Sequence, residues 1–133
     1  QGLARFDSTV AVLNPNIVII AYGTNDVGPI PSGFTDNIEG LVIKAKNLGA
    51  RVFINLLGPI FYPGKEGYPK YNDAIRAIAA KHGAVIDVLT PLSQNPGAYL
   101  SDNMHYSPEG ASVVAHTVFN YVTQYLGDIG QKL

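Results

Sequence analysis

The feature that most constrains this chain is an unbroken apolar run, Ile17 to Tyr22, between residues that form turns. Asn14 and Pro15 precede the run and Gly23 follows it. A strand with one solvated face alternates apolar and polar residues, whereas a strand buried on both faces is continuously apolar. The run therefore predicts a strand over residues 16–22 inside a sheet that helices cover on both sides.

The rest of the chain alternates helical and strand-like patterns. Apolar residues recur at helical spacing over residues 3–13, 34–48, 71–82 and 111–125, and further strand-like runs cover residues 51–57 and 84–88. Residues 58–70 and 90–105 are interpreted as loops, and Ser107 as the N-cap of the last helix. Helices that alternate with strands predict a three-layer α/β/α fold with a parallel sheet and right-handed crossovers.

Length and composition exclude several classes of protein. The 133 residues fit one domain, and a net charge of -1 leaves no basic excess for nucleic acid. The chain has no cysteine, which excludes disulfides and a cysteine nucleophile. No apolar run is long enough to span a membrane, and residues 1–5 lack a signal-peptide layout. The low charge content suits a secreted protein, but the compartment stays open.

Gly23-Thr24-Asn25-Asp26 follows the first strand directly. Ligands of open α/β sheets collect at the carboxyl ends of the strands. The Asn25 side chain offers two N–H donors without a charge, which is what a developing oxyanion requires. The alternative for this tetrapeptide is an ordinary Asx turn that leaves the strand.

Asp102-Asn103-Met104-His105 precedes the last helix. A carboxylate three residues before an imidazole can accept a hydrogen bond from Nδ1 and fix one tautomer, so that the other nitrogen acts as a general base. The alternative is an exposed Asp and His in a loop. His82 and His116 are interpreted as structural or surface residues, and the three histidines lack the spacing of a zinc site.

The two tetrapeptides together resemble the SGNH hydrolase family, also called GDSL esterases and lipases. Gly23 to Asp26 is similar to the family's G-x-N-D block, and Asp102 to His105 is similar to its D-x-x-H block ahead of the C-terminal helix. The resemblance implies a flavodoxin-like SGNH hydrolase fold. It implies His105 as general base and acid, Asp102 as its orienting carboxylate, and Asn25 as an oxyanion-hole donor. Gly23, Thr24 and Asp26 would shape or hold the turn.

The family's Gly-Asp-Ser block, which carries the nucleophile, has no counterpart in this chain. The nearest string, Phe6-Asp7-Ser8-Thr9, lacks the glycine and follows no strand. The resemblance therefore implies strands 3 to 5 of a five-stranded sheet of order 2-1-3-4-5, and an incomplete domain over residues 1–133. The first strand here would be an unpaired apolar edge. We expect the nucleophilic serine on an N-terminal companion polypeptide or segment.

The function that the resemblance implies is hydrolysis of carboxylic esters by a Ser-His-Asp acyl-enzyme mechanism, with the serine supplied from outside this chain. The substrate would be a small-molecule, carbohydrate or lipid ester, and no cofactor or metal is expected. The absent serine leaves one alternative, a catalytically inactive SGNH-like or flavodoxin-like binding module. A nucleotide-binding role is disfavoured because the chain has neither G-x-G-x-x-G nor a P-loop.

Overall fold

The computed structural model describes residues 2–28 and 33–130. The three strands are β1 (Ile17–Ile20), β2 (Arg51–Asn55) and β3 (Ala84–Ile86). The helices are α1 (Gly2–Thr9), α2 (Phe34–Asn47), α3 (Tyr68–His82), α4 (Leu89–Leu92), α5 (Pro96–Tyr99) and α6 (Pro108–Gly130), with a 3₁₀ turn at Ala11–Leu13. Within these ranges, no helix is both long and apolar enough to cross a membrane.

The strands form one parallel sheet in the order β1-β2-β3. Ile17 is opposite Arg51, and Phe53 is opposite Ala84. Because all strands run the same way, their carboxyl ends lie at one edge of the sheet. The predicted parallel α/β sheet with flanking helices is confirmed.

One face of the sheet packs against α1, α2 and α3. Alternate strand residues, including Ile20 and Ile54, point into this layer and are almost completely buried. Val42 of α2 and Ile75 of α3 are fully buried against them. The burial explains the helical periodicity of the sequence, because the apolar stripe of each helix faces the sheet.

The opposite face is covered by α6 and is less complete. Phe53 and Ile86 are buried there against apolar residues of α6, with Leu92 of α4 beside them. Ile19 of β1 remains 40% exposed, and Phe119 of α6 is 64% exposed. The described chain therefore leaves apolar surface uncovered beside β1 on this face.

The structure differs from the sequence expectations in the loops. α3 begins at Tyr68 rather than at residue 71, because Pro69 in the first turn suits a helix start. The predicted loop over residues 90–105 contains most of α4 and all of α5, which are too short to show helical periodicity. α6 starts as expected, and the Gly110 N–H donates to the Ser107 Oγ at 3.0 Å.

Candidate active site

The turn after β1 is fixed by a glycine and by backbone hydrogen bonds. Gly23 has φ +134°, and a Cβ there would lie 2.9 Å from a ring carbon of Phe34, so a larger residue would be strained and would clash. The N–H of Asp26 donates to the Gly23 carbonyl at 2.8 Å, and the Asp26 carbonyl accepts from the Tyr71 hydroxyl at 2.7 Å. The turn leaves Asn25 exposed at the carboxyl edge of the sheet.

Asp102 and His105 form a close pair. The Nδ1 of His105 lies 2.7 Å from the Oδ2 of Asp102, and the Oδ1 of Asp102 accepts from the backbone N–H of His105 at 2.7 Å and of Met104 at 3.2 Å. The backbone N–H of His105, followed by its side chain, holds the pKa of Asp102 below its ordinary value. The carboxylate is therefore charged at neutral pH, and it engages Nδ1 so that Nε2 is available for proton transfer.

Neighbouring elements hold the loop that carries this pair. The Ser101 N–H donates to the His105 carbonyl at 2.8 Å, and the Phe61 N–H donates to the Asn103 carbonyl at 2.8 Å. Ser107 caps α6 and also donates from its hydroxyl to the Ala98 carbonyl at 2.6 Å. These contacts fix the loop at both ends, so the imidazole is presented from a supported backbone.

The two blocks border one cavity of about 260 Å³, which we call the Asn25–His105 cavity. Its lining comprises Ala21, Thr24, Asn25, Asn55, Leu56, Leu57, Met104, His105, Tyr106 and Val114. Asp102 is not part of this lining, but it contacts His105, which is. Asp26 instead lines a neighbouring cavity of about 560 Å³, which Asn25 also borders. The structure therefore brings the predicted residues of both blocks to the same edge of the sheet.

Two further residues at this edge, Lys65 and Asn55, were not assigned a role in the site from the sequence. The Lys65 Nζ donates to the carbonyls of Thr24 and Asn25, at 3.2 and 3.1 Å, across some forty positions of sequence. Asn55, at the end of β2, is 8% exposed, and its Oδ1 is buried with no hydrogen-bond partner among the described residues. The available signal for Asn55 was an amide side chain within the apolar run that follows Arg51, whereas no sequence signal pointed to Lys65.

No serine lines the Asn25–His105 cavity in the part of the chain that the structure describes. Ser8 lies on α1, where its hydroxyl donates to the Arg5 carbonyl at 3.1 Å. The Ser101 hydroxyl donates to the His105 carbonyl at 3.2 Å, and Ser107 is engaged as a helix cap. Ser32 is outside the described residues.

The other two histidines lie away from this cavity. The His82 Nε2 is 2.7 Å from the Oε1 of Glu39, which ties the end of α3 to α2. The His116 Nδ1 is 2.9 Å from the carbonyl oxygen of Ser112 on α6. Among the described residues, no three histidine or acidic side chains are grouped so as to hold a metal ion.

The family of the chain is established by its sequence. The GDSL-like lipase/acylhydrolase family matches residues 1–113, which is most of the chain. The protein therefore belongs to this family, as the resemblance of its two blocks implied. A comparison with curated proteins gave no match.

Solved structures with the same fold include lipases and esterases. A GDSL-like lipase from Bacteroides thetaiotaomicron superposes with a TM-score of 0.81 at 24% identity, covering 92% of this chain and 69% of that one. The acetyl xylan esterase AlAXEase gives 0.81 at 20% identity, with 91% and 74% covered. A catalytic mutant of Axe2, an acetylxylan esterase from Geobacillus stearothermophilus, gives 0.76 at 20% identity, with 90% and 64% covered. This similarity establishes the fold.

Proposed function

We propose that this chain contributes the acid–base pair and an oxyanion donor to a carboxylic ester hydrolase, whose nucleophilic serine lies on a segment outside this sequence. The observation that carries the proposal is the 2.7 Å contact between Asp102 and His105 beside the cavity that Asn25 also lines. We call that segment the serine-bearing segment, and this chain together with it the complete polypeptide.

The geometry suits acyl transfer to water. His105 Nε2 accepts the serine proton as the serine oxygen bonds to the ester carbonyl carbon, while Asp102 stabilises the resulting imidazolium. The Asn25 amide donates to the oxyanion. His105 then returns the proton to the leaving alcohol, and an acyl-enzyme remains. Water attacks this ester with His105 again as base, and the acid and free serine are released.

Three features support the serine-bearing segment. Among the described residues β1 is an edge strand and Ile19 is 40% exposed, as expected if another parallel strand and its covering helix pack there. The Asn55 Oδ1 has no hydrogen-bond partner among the described residues, as expected if a polar group of the serine-bearing segment donates to it at the carboxyl edge of the sheet. In the Axe2 structures described as catalytic mutants, the replaced aspartate and histidine stand three positions apart, and the replaced serine precedes them by far more residues than precede Asp102 here.

The related esterases indicate a substrate class for the proposed hydrolase. Two of the structural neighbours are acetylxylan esterases, so we propose small acyl esters of carbohydrates as the first class to assay. The cavity of about 260 Å³ beside His105 suits a short acyl group better than a long chain.

The test is turnover of p-nitrophenyl acetate by the complete polypeptide and two histidine variants. We expect His105→Ala to lower kcat by about 10²- to 10⁴-fold, because general acid–base catalysis is lost. His116→Ala is the matched control and should retain full turnover, since His116 lies on α6 away from the cavity. Full activity of His105→Ala would remove the proposed mechanism.

A non-catalytic binding module is the second candidate, favoured by the absence of a serine from the described lining of the cavity. The same assay separates the two. If the complete polypeptide does not hydrolyse p-nitrophenyl acetate or acetylated xylo-oligosaccharides, the binding module is the better account.

A further inference from the structure

The loop between β2 and α3 contacts both halves of the proposed catalytic centre. The Phe61 N–H donates to the carbonyl of Asn103, two residues before His105. The Lys65 ammonium donates to the carbonyls of Thr24 and Asn25. Residues 61–67, which we call the aromatic loop, are therefore fixed relative to the site at two points. A substrate held on this loop would keep a constant position relative to the reacting ester.

The aromatic loop exposes large rings to solvent. Phe61 is 57% exposed and Tyr62 is 48% exposed. Both line a third cavity of about 380 Å³, which is lined by Ile60, Phe61, Tyr62, Pro63, Glu66 and Tyr68. Exposed aromatic side chains on a fixed loop are typical of ligand-binding surfaces, because they become buried only when a ligand binds.

The polar groups of the loop narrow the ligand class. The Glu66 carboxylate accepts from the Gly64 N–H at 3.0 Å, and backbone N–H donors hold the pKa of Glu66 below its ordinary value. Lys65 is engaged by the carbonyls of Thr24 and Asn25 and does not line the third cavity. The charge that faces a ligand there is therefore the Glu66 carboxylate, which disfavours phosphate esters and acidic sugars. Together with the tyrosine hydroxyls it offers hydrogen bonds that a fatty acyl chain cannot use. Aromatic faces next to hydrogen-bonding groups match a neutral sugar, whose ring has an apolar C–H face and a polar rim.

We propose that the aromatic loop is a binding subsite for the neutral sugar chain on the alcohol side of the ester, with Phe61 and Tyr62 stacking on sugar rings and Glu66 accepting from sugar hydroxyls. The proposal rests on the proposed function for the identity of the scissile bond. It adds a recognition site that the acid–base pair and the oxyanion turn do not supply. The leaving group would then be a sugar hydroxyl held by this loop.

The direct test is calorimetric binding of unsubstituted xylohexaose to the complete polypeptide, because this probe has no ester to cleave. We expect Phe61→Ala and Tyr62→Ala each to weaken its affinity by about three- to tenfold, which is the range of one aromatic contact. Ile43→Ala is the matched control, since Ile43 is 46% exposed but lies on α2, away from the open face and from the aromatic loop. Its affinity should equal that of the unchanged protein.

A kinetic measurement separates recognition from folding. The loop variants should raise KM for acetylated xylo-oligosaccharides far more than KM for p-nitrophenyl acetate, because the small ester has no sugar ring to stack on Phe61 and Tyr62. Equal xylohexaose affinity in the variants and the unchanged protein would overturn the proposal. So would a loop-dependent KM for p-nitrophenyl esters of fatty acids without xylohexaose binding, which would make the loop an acyl-chain site.

The outcomes also distinguish this subsite from the proposed function. Xylohexaose binding that depends on Phe61 and Tyr62, in a protein that cleaves no ester, would retain the subsite and remove the esterase. Ester turnover that depends on His105, without any xylohexaose binding, would retain the esterase and remove the subsite.

Discussion

The face of the sheet under α2 and α3 is closed, whereas the face under α6 is open beside β1. Ile75 and Val42 are fully buried on the first face, but Ile19 on the second is 40% exposed. The proposed site borders the open face, where Asn55 and Val114 line its cavity. The difference indicates that stability within the described residues comes mainly from the closed face. In the proposed function, the serine-bearing segment would cover the open face.

The largest effect on stability should come from a substitution in the closed face. Ile75→Ala should lower the free energy of unfolding by about 2–5 kcal/mol, because it leaves a cavity in a fully packed layer. Ile19→Ala in the same chain should cost about 1 kcal/mol or less, since that side chain is already partly in water. Urea unfolding of both variants measures the contrast.

The complete polypeptide sharpens this contrast. When the serine-bearing segment covers β1, the cost of Ile19→Ala should rise to about 2 kcal/mol or more. A cost that is the same with and without the segment would mean that the open face is not its binding site.

Asn25→Ala should reduce kcat for ester hydrolysis by about 10²- to 10³-fold, because one oxyanion donor is lost. The side chain is exposed, so the unfolding midpoint should hardly change. Asn47→Ala, at the end of α2, is the matched control and should keep both kcat and stability. An Asn25→Ala enzyme with normal kcat would exclude this amide from the reaction.

Lys65→Met should lower kcat by about five- to tenfold, because two hydrogen bonds from an ammonium to the Asn25 turn are removed. Lys65 would act as a positioning residue, since it contacts the backbone of the turn rather than the substrate. Lys65→Arg keeps a cationic donor and should recover most of the activity. Equal kcat for the Met and Arg variants would show that the contact does not position the turn.

The smallest effect concerns the ion pair between α2 and α3 on the closed face. The hydrogen bond with His82, followed by the charge of Lys81, holds the pKa of Glu39 below its ordinary value. A carboxyl group with a lowered folded pKa stabilises the fold above its unfolded pKa, and this contribution is lost as pH falls through the folded value.

Glu39→Gln should therefore be less stable than the unchanged protein at about pH 6, and the gap should be narrower at about pH 3. Urea unfolding at the two pH values measures it, with Asp128→Asn near the end of α6 as the control. A gap that is independent of pH would assign the loss to packing instead of to charge.

Local signals in the sequence predicted most of the fold. The apolar run at residues 17–22 and the turn residues around it indicated a strand of a parallel sheet, and the Ser107 cap marked the start of α6. The short helices α4 and α5 were missed because one turn carries no periodicity. The sequence predicted the two blocks of the proposed site, since each lies within four consecutive residues.

The contacts of Lys65 and the buried amide of Asn55 could not be predicted in the same way. The Lys65 contacts join residues some forty positions apart through a long side chain. The lack of a partner for the Asn55 Oδ1 depends on how β2 packs against its neighbours. The sequence shows that Asn55 interrupts an apolar run, but the missing partner of its Oδ1 and the contacts of Lys65 are tertiary features that no local pattern encodes.

The central claim is that His105 acts on a serine from outside residues 1–133. The most direct test treats the complete polypeptide with a serine-reactive fluorophosphonate and locates the label by peptide mass spectrometry. The account predicts one labelled serine, on the serine-bearing segment, and loss of labelling in His105→Ala. A label on a serine within residues 1–133, or active enzyme that takes no label, would contradict it.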